Sequence, residues 1–448
     1  MTVRIGCATG WSRDQFHPGR ELLDKGDLDY LFFDSMSELT MSAAQVARAA
    51  DSSLPEYDPY LVPRLGPLLK MSLERGTRLL TNSGWLDPEG AAEALAAEAR
   101  RQGLIGFTIA YITGGDLRER LAETDLTSFE TGQRFAEIAD RVVSAEAYLG
   151  AQLIAEALRE GAHVVLTPRV TDASLVLGPL LNEYGWAEDD WEHLGWGIGI
   201  GHLIECGGQV CGGYYADPGY KEVPDLADLG YPIAEIDEDS AIITKLKGTG
   251  GLVSVGTARE QLLYEVNDPS NYFNPDVTCD LSQLTFQQVG RDRVKVAGGT
   301  GRAKPEQLKV LVGVQEGYMA EEMMSFAGPG AYERAELAKD IVRTRLAREG
   351  VDLARVRFDY IGLNSVHREA TPEVQPDLYE YIVRIAISSP DRSEVDKLRY
   401  EVDPMATSGP AATGKWGPMG TRVRPVVGLH SAYIDRDLVP STLHTITV

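Results

Sequence analysis

Residues 164–213 read VVLTPRVTDASLVLGPLLNEYGWAEDDWEHLGWGIGIGHLIECGGQVCGG. The apolar run Val164, Val165, Leu166 ends in Thr167, Pro168 and Arg169, with Asp172 and Ser174 just behind. A strand that ends in polar groups and turns into a helix is how α/β proteins build sites at the carboxyl ends of their strands. Further on, His202, Glu205 and Cys206 arrive together, followed by two glycine pairs. The linking segment is acidic and carries Trp186, Trp191 and Trp196, read as packing anchors rather than ligand platforms.

Working outward, the chain before this stretch alternates strand and helix. Apolar runs at 3–7, 28–33, 78–80, 104–112 and 163–166 each lead into small or polar residues. Between them lie helical patterns. Residues 87–102 carry an Asp cap, a Pro in the first turn and an Ala-rich interior. A second helix is expected over 135–160, with Gly150 as its weak point. Apolar strands alternating with helices predict a mostly parallel sheet with covering helices. The strand ends then converge on one rim, where Glu38, Thr81, Asn82, Thr113, Asp116, Arg169 and Asp172 gather. For any one of these residues helix capping is the simpler reading. For the strand ends together, a site is.

Beyond residue 213 the character changes. Pro and Gly turns separate short β-type runs, including SAIITKL, LVSVGT, RVKVAG and LKVLVGV. From Leu308 the order strand, helix, strand, strand, helix suggests a ferredoxin-like sandwich. The expected class is therefore α/β: a parallel α/β domain over 1–213, then an α+β part over 214–448. That part is β-rich over 214–307 and ferredoxin-like over 308–448.

With 448 residues the chain is long enough for several domains and a large core. A net charge of −24 argues against nucleic acid and anionic membranes as partners. No signal-peptide pattern opens the sequence, and no apolar run approaches the ~20 residues of a membrane helix. Four cysteines in so long a chain do not make a disulfide framework. These features lead to the expectation of a cytoplasmic protein; a small-molecule substrate and a homo-oligomer are expected besides, neither fixed by composition.

There is no Walker loop, no nucleophile elbow and no dinucleotide fingerprint, so no cofactor is predicted. Gly-rich loops at 248–251 and 409–420 offer backbone N–H groups to a ligand, although plain turns suffice for the first. A guanidinium at a strand end, backed by Asp172, suits capture of a carboxylate or phosphate; the alternative is an ion pair that holds the loop. His202, Glu205 and Cys206 lie at helical offsets of three and four. They read either as an acid/base unit with a neighbouring thiol nucleophile or as a buried His satisfied by its carboxylate. A divalent metal on His202, Glu205 and Cys206 or Cys211 fits no standard spacing but stays open. Thr81 and Asn82 offer hydrogen bonds to a carbonyl or carboxylate. Asp172 joins the catalytic set; Glu38, Thr113 and Ser174 join the binding set.

Several segments together resemble the acyclic terpene utilisation AtuA-type family. They are RIGCATGWSRD from Arg4, GDLDYLFFDSMSELT from Gly26, RLLTNSGWLDP from Arg78, TPRVTDASLVLGPL from Thr167, GHLIECGGQVCGGYYADPG from Gly201, KGTGGLVSVGTAREQLLYEV from Lys247, SFAGPG from Ser325 and TSGPAATG from Thr407. This chain has Pro168 where the family typically has Gly, and lacks the Cys often found near Ser35. The resemblance implies a role in breakdown of branched acids and terpenoids as CoA thioesters. Many relatives carry a further small C-terminal domain or work beside it as a separate protein. Val448 ends this sequence without it, which leaves open a small partner subunit or loss of that function. The expected activity is hydratase- or lyase-type chemistry on a branched acyl-CoA or related carboxylic acid. Arg169 would bind the anion, His202 with Glu205 would move protons, and Asn82 would steady an oxyanion. The alternatives are a thioester or amide hydrolase using Cys206 or Ser174, and a non-catalytic subunit.

Overall fold

The computed structural model describes residues 2–372, 378–416 and 422–448. Two compact units emerge: Met1–Gly313 together with Leu429–Val448, and Val314–Gly428. In the first, the elements run β1 (Val3–Cys7), α1 (His17–Lys25), β2 (Tyr30–Phe33), α2 (Glu38–Ala50), α3 (Leu61–Leu65), α4 (Leu69–Arg75), β3 (Arg78–Thr81), α5 (Pro88–Arg101) and β4 (Thr108–Gly114). They continue with β5 (Val142–Ala147), α6 (Gln152–Arg159), β6 (Val164–Leu166), α7 (Ser174–Tyr184), α8 (Trp191–Ile204), β7 (Pro232–Ile236), β8 (Ser240–Lys245) and α9 (Val255–Leu263). Next come β9 (Tyr272–Phe273), β10 (Thr278–Asp280), β11 (Thr285–Gly290), β12 (Arg293–Ala297), β13 (Thr300–Arg302) and the long β14 (Gln307–Ala327). The rest are α10 (Ala331–Arg348), β15 (Val356–Ile361), β16 (Glu380–Ser389), α11 (Arg392–Val402), α12 (Met405–Ser408), β17 (Gly414–Trp416), β18 (Arg424–Asp435) and β19 (Ser441–Thr447).

The large sheet has the order β11-β12-β8-β7-β1-β2-β3-β6-β4-β19. Its centre, β1-β2-β3-β6-β4, is parallel; both flanks are antiparallel. Alternation sorts the two faces. Leu31, Phe33, Leu79, Ile109, Val164 and Leu166 pack into one core with Leu22, Leu65, Leu95 and Phe107 from α1, α3, α5 and the loop before β4. Phe32, Leu80 and Val165 point the other way and are equally buried. That face meets α6 and α7, so both faces are covered, as parallel strands require. The segment expected as β-rich extends this same sheet through β7, β8, β12 and β11.

Two local expectations are corrected. Residues 135–160 do not form one helix: Val142–Ala147 is a strand that pairs with β14, and the helix begins only at Gln152. The β-branched pair Val142, Val143 favours the strand. At the junction the Ala151 N–H donates to Asp276 at 2.9 Å, and a side chain at Gly150 would strike the same carboxylate. LVSVGT is not a strand either. Ser254 caps a helix there, in a box closed by Thr257.

The glycine run of α8 is a packing device. This helix is buried almost all round. A Cβ on Gly195 would sit 2.3 Å from the Thr300 carbonyl oxygen, and one on Gly201 would sit 2.8 Å from Ala173. The backbones of β13 and of the turn before α7 therefore approach α8 closely, and that fixes where His202 and Glu205 emerge. The 248–251 turn packs on Cys211 and Asp225. Of the 409–420 stretch, residues from 417 on lie outside the described residues.

In the second unit the sheet order is β15-β16-β14-β17, with α10 after β14 and α11 after β16. Neighbouring strands are antiparallel, and α10 and α11 bury Ala335, Val342, Val395 and Leu398 against them. No helix among the described residues is long and apolar enough to cross a membrane.

The close approach of α8 makes a specific prediction. Gly195→Ala lowers the urea midpoint by the equivalent of about 1–3 kcal/mol, because backbone atoms cannot yield. Gly199→Ala meets only side-chain ends, Leu284 at 3.1 Å and Leu281 at 3.4 Å. There the gain in helix propensity, about 1 kcal/mol, offsets the contact and leaves stability near wild type.

Candidate functional site

The carboxyl ends of the parallel strands are laced together. Thr9 Oγ1 donates to the Asp34 carbonyl at 2.6 Å, Thr81 Oγ1 to that of Phe33 at 2.9 Å, and Ser83 Oγ to Ser35 Oγ at 2.9 Å. Asn82 is the knot. Its Oδ1 accepts from the Ser35 N–H at 2.7 Å, and its Nδ2 donates to Asp34 Oδ1 at 2.7 Å and Asp172 Oδ1 at 3.3 Å. With both ends of the amide committed and no exposure, Asn82 positions two acids rather than touching a ligand. Thr81 is equally buried and holds strand ends. Ser174 is buried against Thr171 Oγ1 at 2.6 Å.

Arg169 lies at the end of β6 and is almost fully buried. Its guanidinium stacks on the Tyr148 ring, 4.3 Å from the centroid, and donates to the Tyr148 hydroxyl at 2.9 Å. That hydroxyl donates onward to Glu38 Oε1 at 3.2 Å. Glu38 and Asp172 each stand 3.7 Å from the guanidinium. Nε and Nη1 make no hydrogen bond, so Arg169 keeps donors in reserve. Lys309 approaches the same ring, with Nζ 5.0 Å from its centroid. Burial and the neighbouring Arg169 push the Lys309 pKa down, Glu38 pulling the other way. Glu38 is held below the usual carboxylate range: burial raises it, but Arg169 and Lys309 outweigh that.

These side chains line a cavity of about 580 Å³, within the range of small-molecule sites. Arg169, Lys309 and Tyr148 share it with Asp172, His202, Glu205 and Glu265. A second cavity of about 410 Å³ adjoins it, and Glu38, Asp172, Glu205 and Glu265 line both. Thr113 is elsewhere. It bonds His444 Nε2 at 3.0 Å and lines a separate cavity of about 190 Å³ behind Arg169, with Asp116 and Glu146.

One acid of the shared wall, Asp172, is protonatable near neutrality. Burial pushes Asp172 up to about 7 against the pull of Arg169, with Glu205, Glu38 and Glu265 adding to the rise. Asp34 is raised by burial and by Asp172. Glu265 is raised by burial and by Glu38. His202 has both nitrogens engaged: Nδ1 with Glu205 Oε1 at 2.8 Å, and Nε2 with the Leu262 carbonyl at 3.2 Å. Its pKa is raised, burial being outweighed by Glu205. His202 and Glu205 thus form one hydrogen-bonded pair, with Glu205 the member that lines both cavities. Burial and Glu205 push the Cys206 thiol far up, the reverse of what a thiolate nucleophile needs. Among the described residues no three His, Cys, Asp or Glu side chains gather to hold a metal ion.

Of the residues singled out in the sequence, the structure brings Glu38, Arg169, Asp172, His202 and Glu205 to one cavity. It leaves Thr81, Asn82 and Ser174 beneath it and Thr113 apart. Sequence reading missed Tyr148, Glu265 and Lys309. Lys309 had a signal: a lysine interrupting the apolar strand LKVLVGV. Tyr148 was hidden by the helix expected over 135–160.

Fold and site together define a mixed α/β protein whose parallel strands end at a ligand-sized cavity, cationic on one wall and lined by carboxyl groups on the other. The chain belongs to the acyclic terpene utilisation family AtuA, whose sequence profile matches residues 3–445. Membership places it in acyclic terpene utilisation. No curated protein and no solved structure matches it.

Two predictions come from the electrostatics. Burial, with Asp116 near it, pushes Glu146 up to about 8, so the folded state keeps a proton there that the unfolded chain loses from about 4.5 upward. Stability contributed by this group therefore falls as pH rises through that window. Glu146→Gln raises the melting midpoint at pH about 9 and gains little at pH about 4; calorimetry at both pH values reads the difference, and an increment flat with pH removes the neutral-acid assignment. Cys206→Ala leaves ligand binding in the main cavity within about two-fold by isothermal titration, because the thiol is not ionised.

Proposed function

We propose that the chain is an acid/base enzyme of branched or terpenoid acid metabolism that adds or removes water at a carbon–carbon double bond, its substrate a carboxylic acid or the corresponding CoA thioester. One observation carries the reading. Asp172, a carboxyl that changes protonation near neutral pH, faces both cavities, is steadied by Asn82 at 3.3 Å, and lies 3.7 Å from the guanidinium that would hold the substrate's anionic end. Arg169 and Lys309 bind and polarise that end. Asp172 takes or returns the proton of water, and the His202–Glu205 pair serves the carbon. Asp34 and Asn82 keep Asp172 in place.

Hydrolysis through a covalent intermediate has less support. Ser174 is sealed beneath the cavity, and the Cys206 surroundings oppose ionisation.

The test is turnover of 3-methyl-2-enoic acids and their CoA thioesters, followed by NMR in deuterated water. Asp172→Asn cuts kcat by about 100-fold or more, the usual scale for a lost general base. Arg169→Lys chiefly raises KM, since one point charge replaces a planar fork. In wild type kcat/KM climbs as pH rises through about 7, where Asp172 loses its proton among Arg169, Glu38, Glu205, Glu265 and Asp34. Full activity in Asp172→Asn sinks the assignment. A chain inert toward every substrate, yet active once a small partner protein is added, gives the weight to the subunit reading.

A further inference from the structure

We infer that the cavity takes its substrate as the free carboxylate and rejects the CoA thioester. This rests on the hydratase or lyase reading above and names the substrate class for that same site.

The first ground is the distribution of charge. Among the described residues, the arginine and the lysine that line the main cavity, Arg169 and Lys309, both lie against Tyr148. The rest of the wall carries the carboxyls of Glu38, Asp172, Glu205, Glu265, Glu306 and Asp435, with His202 bound to Glu205. The adjoining cavity adds Asp14 and Asp34, with no lysine or arginine lining it among the described residues. A CoA thioester must lead its diphosphate and 3′-phosphate out past these walls, where like charges repel over several ångströms. A free acid brings one negative charge, and the two cations meet it.

The second ground is chemical. In a thioester the charge that develops on addition of water sits on a carbonyl oxygen, which backbone N–H donors stabilise well. In a free acid the substrate already bears a charge and gains a second as the aci-carboxylate forms. That step needs two cations at one carboxyl group. Arg169 and Lys309 supply them, and the unused Nε–H and Nη1–H of Arg169 add donors. The step balances without any co-reactant but water. Asp172 accepts a proton from water as the water oxygen bonds to C3. The π pair of the C2–C3 bond moves toward the carboxylate to give the aci-carboxylate. A proton from the His202–Glu205 pair reaches C2 and restores the carboxylate, and Asp172 hands its proton back to that pair.

The experiment compares 3-methylbut-2-enoate and a longer 3-methyl-2-enoate with their CoA thioesters, by isothermal titration and by turnover, on the full chain. The expected result is saturable binding of a free acid, at least about ten-fold weaker in Arg169→Ala and in Lys309→Met, with the thioesters about 100-fold poorer in kcat/KM. Converting the outer wall, Glu306→Lys with Asp435→Lys, should narrow that gap by raising thioester affinity. Preference for the thioester, with turnover lost in Asp172→Asn, overturns this inference and leaves the acid/base reading standing. Free acid bound through Arg169 and Lys309, but turned over equally well without Asp172, keeps the substrate class and removes that reading. Failure of every free acid to bind overturns the inference outright.

Discussion

A guanidinium buried at the end of β6 sets the terms for everything around it. A charge taken out of water must be paired or surrounded by oriented dipoles. Arg169 meets this with an aromatic face, a phenol oxygen and two carboxylates, each of the last in ion-pair contact at 3.7 Å but beyond hydrogen-bond distance. The pairing is incomplete, and two of its nitrogens make no hydrogen bond. A residue that served only to pin the loop would be expected to close those contacts. The loose pairing leaves room for another anion, and the same guanidinium limits how far the carboxyls nearest it can rise. It pulls Asp172 and Asp34 down against burial and takes Glu38 below the ordinary range.

The acids depend in turn on the backbone beneath them. Asn82 ties Asp34 to Asp172 only because β2 and β3 end side by side, with Thr81 and Ser83 fixing their last residues. Glu205 arrives from another direction, at the end of α8. Its height is set by how closely the glycine face of that helix lies on β13 and on Ala173. Strand ends and a glycine-lined helix thus meet at one point from different parts of the chain. Tight backbone packing is what lets their side chains share a cavity.

Much of this was legible in the sequence, for reasons that can be named. The central parallel strands announce themselves as short apolar runs that stop at polar residues, because burial on both faces demands the one and the rim permits the other. Arg169, Asp172 and Glu38 could be placed at that rim by type and position alone, and His202 with Glu205 could be paired on one helix face. The remainder depends on tertiary context. β5 carries Ala and Glu, which tolerate a helix, and only pairing with β14 decides for a strand. Asn82 was legible as a rim residue but not as a positioning residue, since local sequence cannot tell a free amide from one committed at both ends. Lys309 and Tyr148 come together because β5 and β14 are neighbours: the Tyr148 N–H donates to the Lys309 carbonyl at 2.9 Å. That contact spans far too much chain for any local pattern to reveal.

The shared acidic wall suggests why two cavities stand side by side. Addition of water needs the organic substrate and the water to reach one base from different sides, and one cavity open to both would let solvent swamp the electrostatics. Here Asp172 and Glu205 line both spaces, while the cations line the first alone. On the proposed reading the acid substrate lies against Arg169 and Lys309, water is drawn from the adjoining space, and the carboxyls between them are the only groups that need to change protonation. The raised pKa of Asp172 then follows from placement: a carboxyl set between two cavities, among other carboxyls and with one guanidinium in reach, keeps its proton until near neutral pH.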